Sequence, residues 1–184
     1  IRKKKKNKIF KEIFSDQIIK DLPFSLTNGQ KSSLKQINLD FKSEKRMFRI
    51  IQGDVGSGKT IVSLLAISNI IESKYQCALM GPTEILAKQH YELAKKIYQK
   101  ANFKIAFLSG KIDPKKRKEI LKDLKEGSID LIIGTHALFQ KKILFKNLGF
   151  IVIDEQHKFG VKQRSELALK GGNNCDVLLM SATP

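Results

Sequence analysis

Along this chain, short blocks of apolar residues alternate with longer stretches in which apolar and charged positions recur at helical spacing. The blocks fall at 49–52, 77–81, 104–108, 130–133, 150–153 and 177–181. Their unbroken hydrophobicity predicts strands buried on both faces, as in a parallel sheet. The stretches at 59–73, 83–99, 114–126 and 161–169 predict the intervening helices. In the second of these, Leu86, His90, Leu93 and Ile97 mark one buried stripe, with Thr83 after Pro82 as its N-cap. The alternation implies an α/β fold with a mostly parallel central sheet, helices on both faces and a ligand site at the C-terminal ends of the strands.

Ahead of the first strand, Ile9, Phe10, Ile13, Phe14 and Ile18 recur at helical spacing behind the lysine run 3–6. They predict a basic linker helix within residues 1–22, closed by Leu22-Pro23. Its apolar stripe suits packing on its own domain or a neighbour better than service as a nucleic-acid arm. A second helix, at about 28–40, carries Leu34, Ile37 and Phe41 toward a core. Residues 23–184 then form the main domain. There is no internal repeat, and no low-complexity segment beyond the lysine run.

At 184 residues the chain suits one domain, burying roughly 70% of its unfolded surface. The formal net charge of +17 implies a polyanionic partner, and nucleic acid fits better than a membrane because no long apolar segment or anchor accompanies the charge. A lysine-rich genome would give the same excess. Cys77 and Cys175 are too few and too far apart for a zinc motif and are expected to be reduced thiols. Lys11, Glu12 and Asp16 interrupt what a signal peptide would need as an apolar core. The opening Ile1 and closing Ser181-Ala182-Thr183-Pro184 suggest a piece of a longer protein.

Between the first strand and the next helix lies Gly53, Asp54, Val55, Gly56, Ser57, Gly58, Lys59 and Thr60. In this G-x-x-x-x-G-K-T pattern, backbone N–H groups converge on the oxyanions of a nucleotide at a helix N-terminus. Lys59 is placed to reach the β/γ-phosphates and the Thr60 hydroxyl to ligate Mg2+. A second signal is the strand at 150–153, which delivers Asp154 and Glu155 at its tip. Beside a phosphate cradle, Asp154 would hold the metal and Glu155 would orient or deprotonate the attacking water. Without the cradle, the acids would read as a solvated turn.

The string Asp154-Glu155-Gln156-His157, continued by Lys158-Phe159-Gly160-Val161-Lys162-Gln163-Arg164, resembles the Walker B box of the bacterial RecG-type DNA helicases of superfamily two. Transcription-repair coupling factors usually carry Asp-Glu-Glu-His there, so Gln156 favours the RecG type. The resemblance spans roughly residues 23–184 and implies a three-layer, RecA-like P-loop domain using ATP and Mg2+. Leu22-Pro23-Phe24, Leu26-Thr27 and Gln30 resemble the family's adenine-reading element, with Phe24 stacking near the base and Gln30 pairing with its edge. Phe24 as plain core filler remains open. The segments 81–90 and 134–140 resemble motifs that grip nucleic-acid phosphates, through Thr83, Lys88, Thr135, His136 and Gln140. Ordinary helix caps are the alternative there. Ser181 and Thr183 resemble the motif that couples hydrolysis to strand movement, with Gln156 and His157 on the acidic side.

The resemblance further implies a bacterial cytoplasmic, nucleoid-associated protein that remodels stalled forks and recombination junctions in DNA repair. Its partners would be branched DNA and, within the same full-length chain, a second motor domain and a wedge domain, with no membrane involved. The second motor domain supplies an arginine worth about 10³ to 10⁵ in rate, so the present piece alone is expected to hydrolyse ATP scarcely at all. Two other readings stand beside this one: an ATP-dependent RNA helicase domain, and a basic nucleic-acid-binding module with a non-catalytic nucleotide pocket.

Overall fold

The computed structural model describes residues 4–53, 58–154, 166 and 169–182. The elements run α1 (Ile13–Asp21), α2 (Asn28–Lys42), β1 (Phe48–Gln52), α3 (Lys59–Glu72), β2 (Gln76–Met80), α4 (Glu84–Ile97), β3 (Ile105–Leu108), α5 (Pro114–Glu126), β4 (Leu131–Gly134), β5 (Leu148–Asp154) and β6 (Asp176–Ser181). All six expected strands form, and they make one sheet in the order β1-β6-β5-β2-β4-β3 with parallel pairing throughout. The helix expected at 161–169 lies mostly outside the described residues.

Burial on both sheet faces explains the unbroken apolar blocks. Cys77, Leu79, Phe150, Val152, Leu178 and Met180 pack toward α2, α3 and α4 in one core cluster, while Ala78, Met80, Ile151, Ile153, Val177 and Leu179 join Leu124 of α5 in a second. Two packed layers of helix around a sheet make the three-layer arrangement. In α3, ten consecutive residues from Val62 to Ile71 are buried, so this helix shows no polar side to the solvent. Its polar members are bonded internally: Asn69 Nδ2 donates to Asn38 Oδ1 at 2.9 Å and Ser15 Oγ to Asn69 Oδ1 at 2.8 Å, linking α1, α2 and α3.

The N-terminal segment departs from expectation. Helix begins only at Ile13, after Glu12 turns with φ 59°, and the described residues before it run in irregular backbone. The cause is long-range. Lys5 Nζ donates to both Asp176 oxygens at 2.8 and 2.9 Å and Lys8 Nζ to Oδ2 at 2.7 Å, with all three side chains fully buried. Backbone bonds from Lys5 N to Glu44 O and Lys8 N to Phe41 O fasten the segment to the end of α2. Phe10 is buried against Phe41 while Ile9 stays exposed, so the expected helical stripe is broken at its start. Glu72 at the end of α3 accepts from Lys11 N and Ile13 N and so caps α1 from a distance.

Candidate nucleotide and nucleic-acid site

The C-terminal ends of the six strands form a row, and the sequence motifs fall along it in the order of the sheet. At the β1 end, Gly53 N donates to Ser181 O at 3.2 Å, which joins the start of the glycine-rich loop to the end of β6. Residues 54–57, with the expected contributions of Asp54, Val55, Gly56 and Ser57, lie outside the described residues. The loop closes on Gly58, whose left-handed φ of 81° places it as N-cap of α3 without a side-chain cap. Lys59 opens the helix, and its Nζ donates back to Gly53 O at 2.5 Å, bridging the two ends of the loop. Thr60 follows, half-buried.

Gln30 lies against this turn. Its Oε1 accepts from Thr27 N at 2.9 Å and its own N donates to Thr27 Oγ1 at 3.1 Å, a capping box that starts α2. Phe24 is 49% exposed, which removes the core-filler reading. It lines a cavity of about 150 Å³ with Ile61 of α3 and Leu93 and Ile97 of α4.

β5 runs through Asp154 itself, which pairs in register with Met180 of β6 and so sits one strand from Ser181. Because side chains alternate along a strand, Asp154 projects to the same side as Phe150 and Val152, toward the α3 and α4 layer. There His90 Nε2 meets its Oδ2 at 2.7 Å, with the two side chains only 11% and 15% exposed. The expected stripe made His90 a buried residue, which it is; its acidic partner was not foreseen. Glu155, Gln156, His157 and Thr183 lie outside the described residues.

The other half of the row lies at β2, β4 and β3. Thr83 caps α4, its Oγ1 accepting from Leu86 N at 3.2 Å, and Thr135 precedes a 3₁₀ turn (His136–Phe139) instead of the expected helix. His136 and Gln140 are exposed, and Gln140 Oε1 accepts from Arg117 of α5 at 3.3 Å. Lys88 is turned along α4, 3.5 Å from Glu92 and 5.3 Å from the rings of Tyr91 and Phe107. Glu84 ties this region together, accepting from Gly110 N and from Ser109 Oγ, and these bonds hold its carboxyl below the ordinary glutamate range. The partners of Arg117, Glu84 and His90 were not legible from sequence, because each lies far along the chain.

This geometry fits a metal–nucleotide complex. The uncapped N-terminus of α3, with Lys59 and Thr60, follows β1, and Asp154 ends β5 on the same edge of the sheet with β6 between them; among the described residues no cluster of His, Cys, Asp or Glu forms a metal cage by itself. A single carboxylate and a hydroxyl suit Mg2+, which usually takes one or two protein oxygens beside substrate phosphates. Among the described residues no helix is long and apolar enough to cross a membrane.

The DEAD/DEAH box helicase family matches residues 27–184. The ATP-dependent DNA helicase RecG of Thermotoga maritima is 51% identical over 170 residues, covering 92% of this chain and 22% of that protein. RecG of Aquifex aeolicus is 46% identical over 186 residues, covering 100% and 24%. A solved structure of RecG bound to a three-way DNA junction aligns with a TM-score of 0.88 and 44% identity, over 98% of this chain and 24% of that one. A hypothetical ATP-dependent RNA helicase from Sulfolobus tokodaii shares the fold, with a TM-score of 0.71 at 20% identity over 92% of this chain and 50% of that one. The chain thus spans about a quarter of the length of the curated RecG relatives.

Proposed function

The chain belongs to the DEAD/DEAH box helicase family, and we propose that it is the first motor domain of a RecG-type DNA helicase, working on branched DNA with ATP and Mg2+. The observation that supports this is the row of strand ends, with Lys59, Ser181 and Asp154 at the β1, β6 and β5 ends and Thr83 and Thr135 after β2 and β4. The 20% identity of the RNA helicase supports the shared fold alone, whereas the 44–51% identities to RecG favour DNA.

In this reading the N–H groups at the start of α3 and the Lys59 ammonium neutralise the β/γ-phosphates, for which Lys59 must leave the Gly53 carbonyl that it now meets. Thr60 and Asp154 would hold Mg2+, which supplies charge neutralisation between the phosphates. Glu155 would orient or deprotonate water. Gln30 and Phe24 would recognise the base, and Ser181, Thr183, Gln156 and His157 would relay the nucleotide state. Thr83, Lys88, Thr135, His136 and Gln140 would hold the DNA backbone without reading bases. A second motor domain and a wedge domain would complete the machine, in a nucleoid-associated cytoplasmic protein.

Lys59→Ala in the full-length protein tests the reading. DNA-stimulated ATP hydrolysis and unwinding of a three-way junction should be lost, while junction binding without nucleotide stays within about twofold. Stimulation of the unaltered protein by structured RNA as strong as by branched DNA would count against it, as would a Lys59→Ala variant that still unwinds.

A further inference from the structure

We propose that His90 is a positioning residue for Asp154: its Nε2 holds the carboxylate in the orientation that a bound magnesium–nucleotide requires and links α4 to the nucleotide half of the site. This rests on the motor reading above. The 2.7 Å contact lies between two largely buried side chains, and among the described residues His90 is the group hydrogen-bonded to Asp154. A terminal carboxylate torsion is broad by itself. One well-placed donor on Oδ2 settles its plane and leaves Oδ1 for the metal or its water. Outer partners of this kind orient metal-binding carboxylates, and their loss typically costs about 10–100-fold in metal affinity or activity.

The helix carrying His90 is itself firmly seated. Ala87 and Ala94, flanking His90 on the buried face of α4, are small enough to let the helix lie close to the sheet. A β-carbon on Gly81 would come within 2.8 Å of Ala87 N, so the first turn of α4 presses directly on the end of β2. Thr83 at the N-cap and His90 are therefore parts of one rigid rod, about 10 Å apart along its axis. A shift of that rod on a nucleic-acid strand moves the donor on Asp154, and a change at Asp154 presses back on the rod. His90 sits where the two halves of the strand-end row meet, since β5 and β2 are neighbours in the sheet.

The test uses the full-length protein with His90→Phe, which keeps a ring but no donor, His90→Leu, which removes the donor with less bulk, and His90→Gln, which returns an amide N–H at similar reach. Binding of a fluorescent ADP is titrated at rising Mg2+. His90→Phe and His90→Leu should raise the Mg2+ midpoint about tenfold with metal-free nucleotide affinity unchanged, and His90→Gln should recover to within about threefold. DNA-stimulated hydrolysis at saturating ATP should lose about tenfold in kcat with little change in KM. A native Mg2+ midpoint in both donor-free variants overturns the proposal, and so does a His90→Gln variant as impaired as His90→Leu, which would leave only ring packing. Failure of the unaltered protein to bind the nucleotide would sink the motor reading instead.

Discussion

The side-chain amide of Gln30 fills the space beside Gly58, so that a β-carbon on that glycine would lie 1.9 Å from Gln30 Nε2. Gly58 also holds φ at 81°, where a side chain is strained. Gly58→Ala therefore faces two penalties, one from the neighbour and one from the backbone. It should weaken fluorescent-nucleotide binding by about tenfold or more. Gly58→Ala with Gln30→Ala should cost less in denaturant unfolding than the two single changes added together, because the clash is gone. Gln30→Ala alone should also loosen the start of α2 by about 1 kcal/mol, read by chemical denaturation, because the capping box loses a member.

Asp176 is ion-paired with two buried ammonium groups and accepts Met47 N at 2.7 Å. Asp176→Ala should cost about 3–5 kcal/mol in denaturant unfolding, since it strands charge in the core. Asp176→Asn should cost less because an acceptor for Met47 N remains. Burial lowers the Lys5 pKa, and Asp176 opposes that shift. With the carboxylate gone the lowering grows, the unfolded chain binds more protons than the folded one, and stability rises with pH. The deficit of Asp176→Ala should accordingly narrow in alkaline buffer.

Glu84 links the N-terminus of α4 to the loop after β3 through Gly110 N and Ser109 Oγ. The Gly110 bond is the larger cause of its depressed pKa, the Ser109 bond the smaller. Stability from this tie is present above the ordinary glutamate value of about 4.3 and is lost as pH falls through the lower folded value. Glu84→Gln should lower the melting temperature near neutrality, and the gap to the unaltered protein should close as pH falls through that acid window.

Cys77 and Cys175 are both buried free thiols. Burial pushes Cys175 up to about 12 and Cys77 well above its ordinary value. Neither should react with a thiol-directed reagent in the folded protein, and both should react promptly in denaturant. Fast labelling under native conditions would contradict the packing of β2 and β6.

The strands and helices were legible from sequence because local periodicity carries the burial pattern: a short block such as 150–153 with no polar break, set between longer helical patterns, reads as a strand covered on both sides. The turn into α3 was legible for a similar reason, since Gly58 before Lys59 writes a backbone requirement into adjacent residues. The start of α1 was not. Nothing near Lys5 or Lys8 tells that Asp176, far down the chain, will draw both ammonium groups inward and hold the segment out of a helix.

The same distinction separates Asp154 from His90. A carboxylate at a strand tip after a glycine-rich loop is readable in one dimension, but its meeting with a histidine 64 residues earlier depends on β5 lying beside β2 in the sheet. Chain-local chemistry therefore chose the elements and the groups that could bind phosphate. Strand order and helix packing decided which of those groups touch, because contacts between distant residues are set by how buried surfaces fit together and leave no periodic mark along the chain.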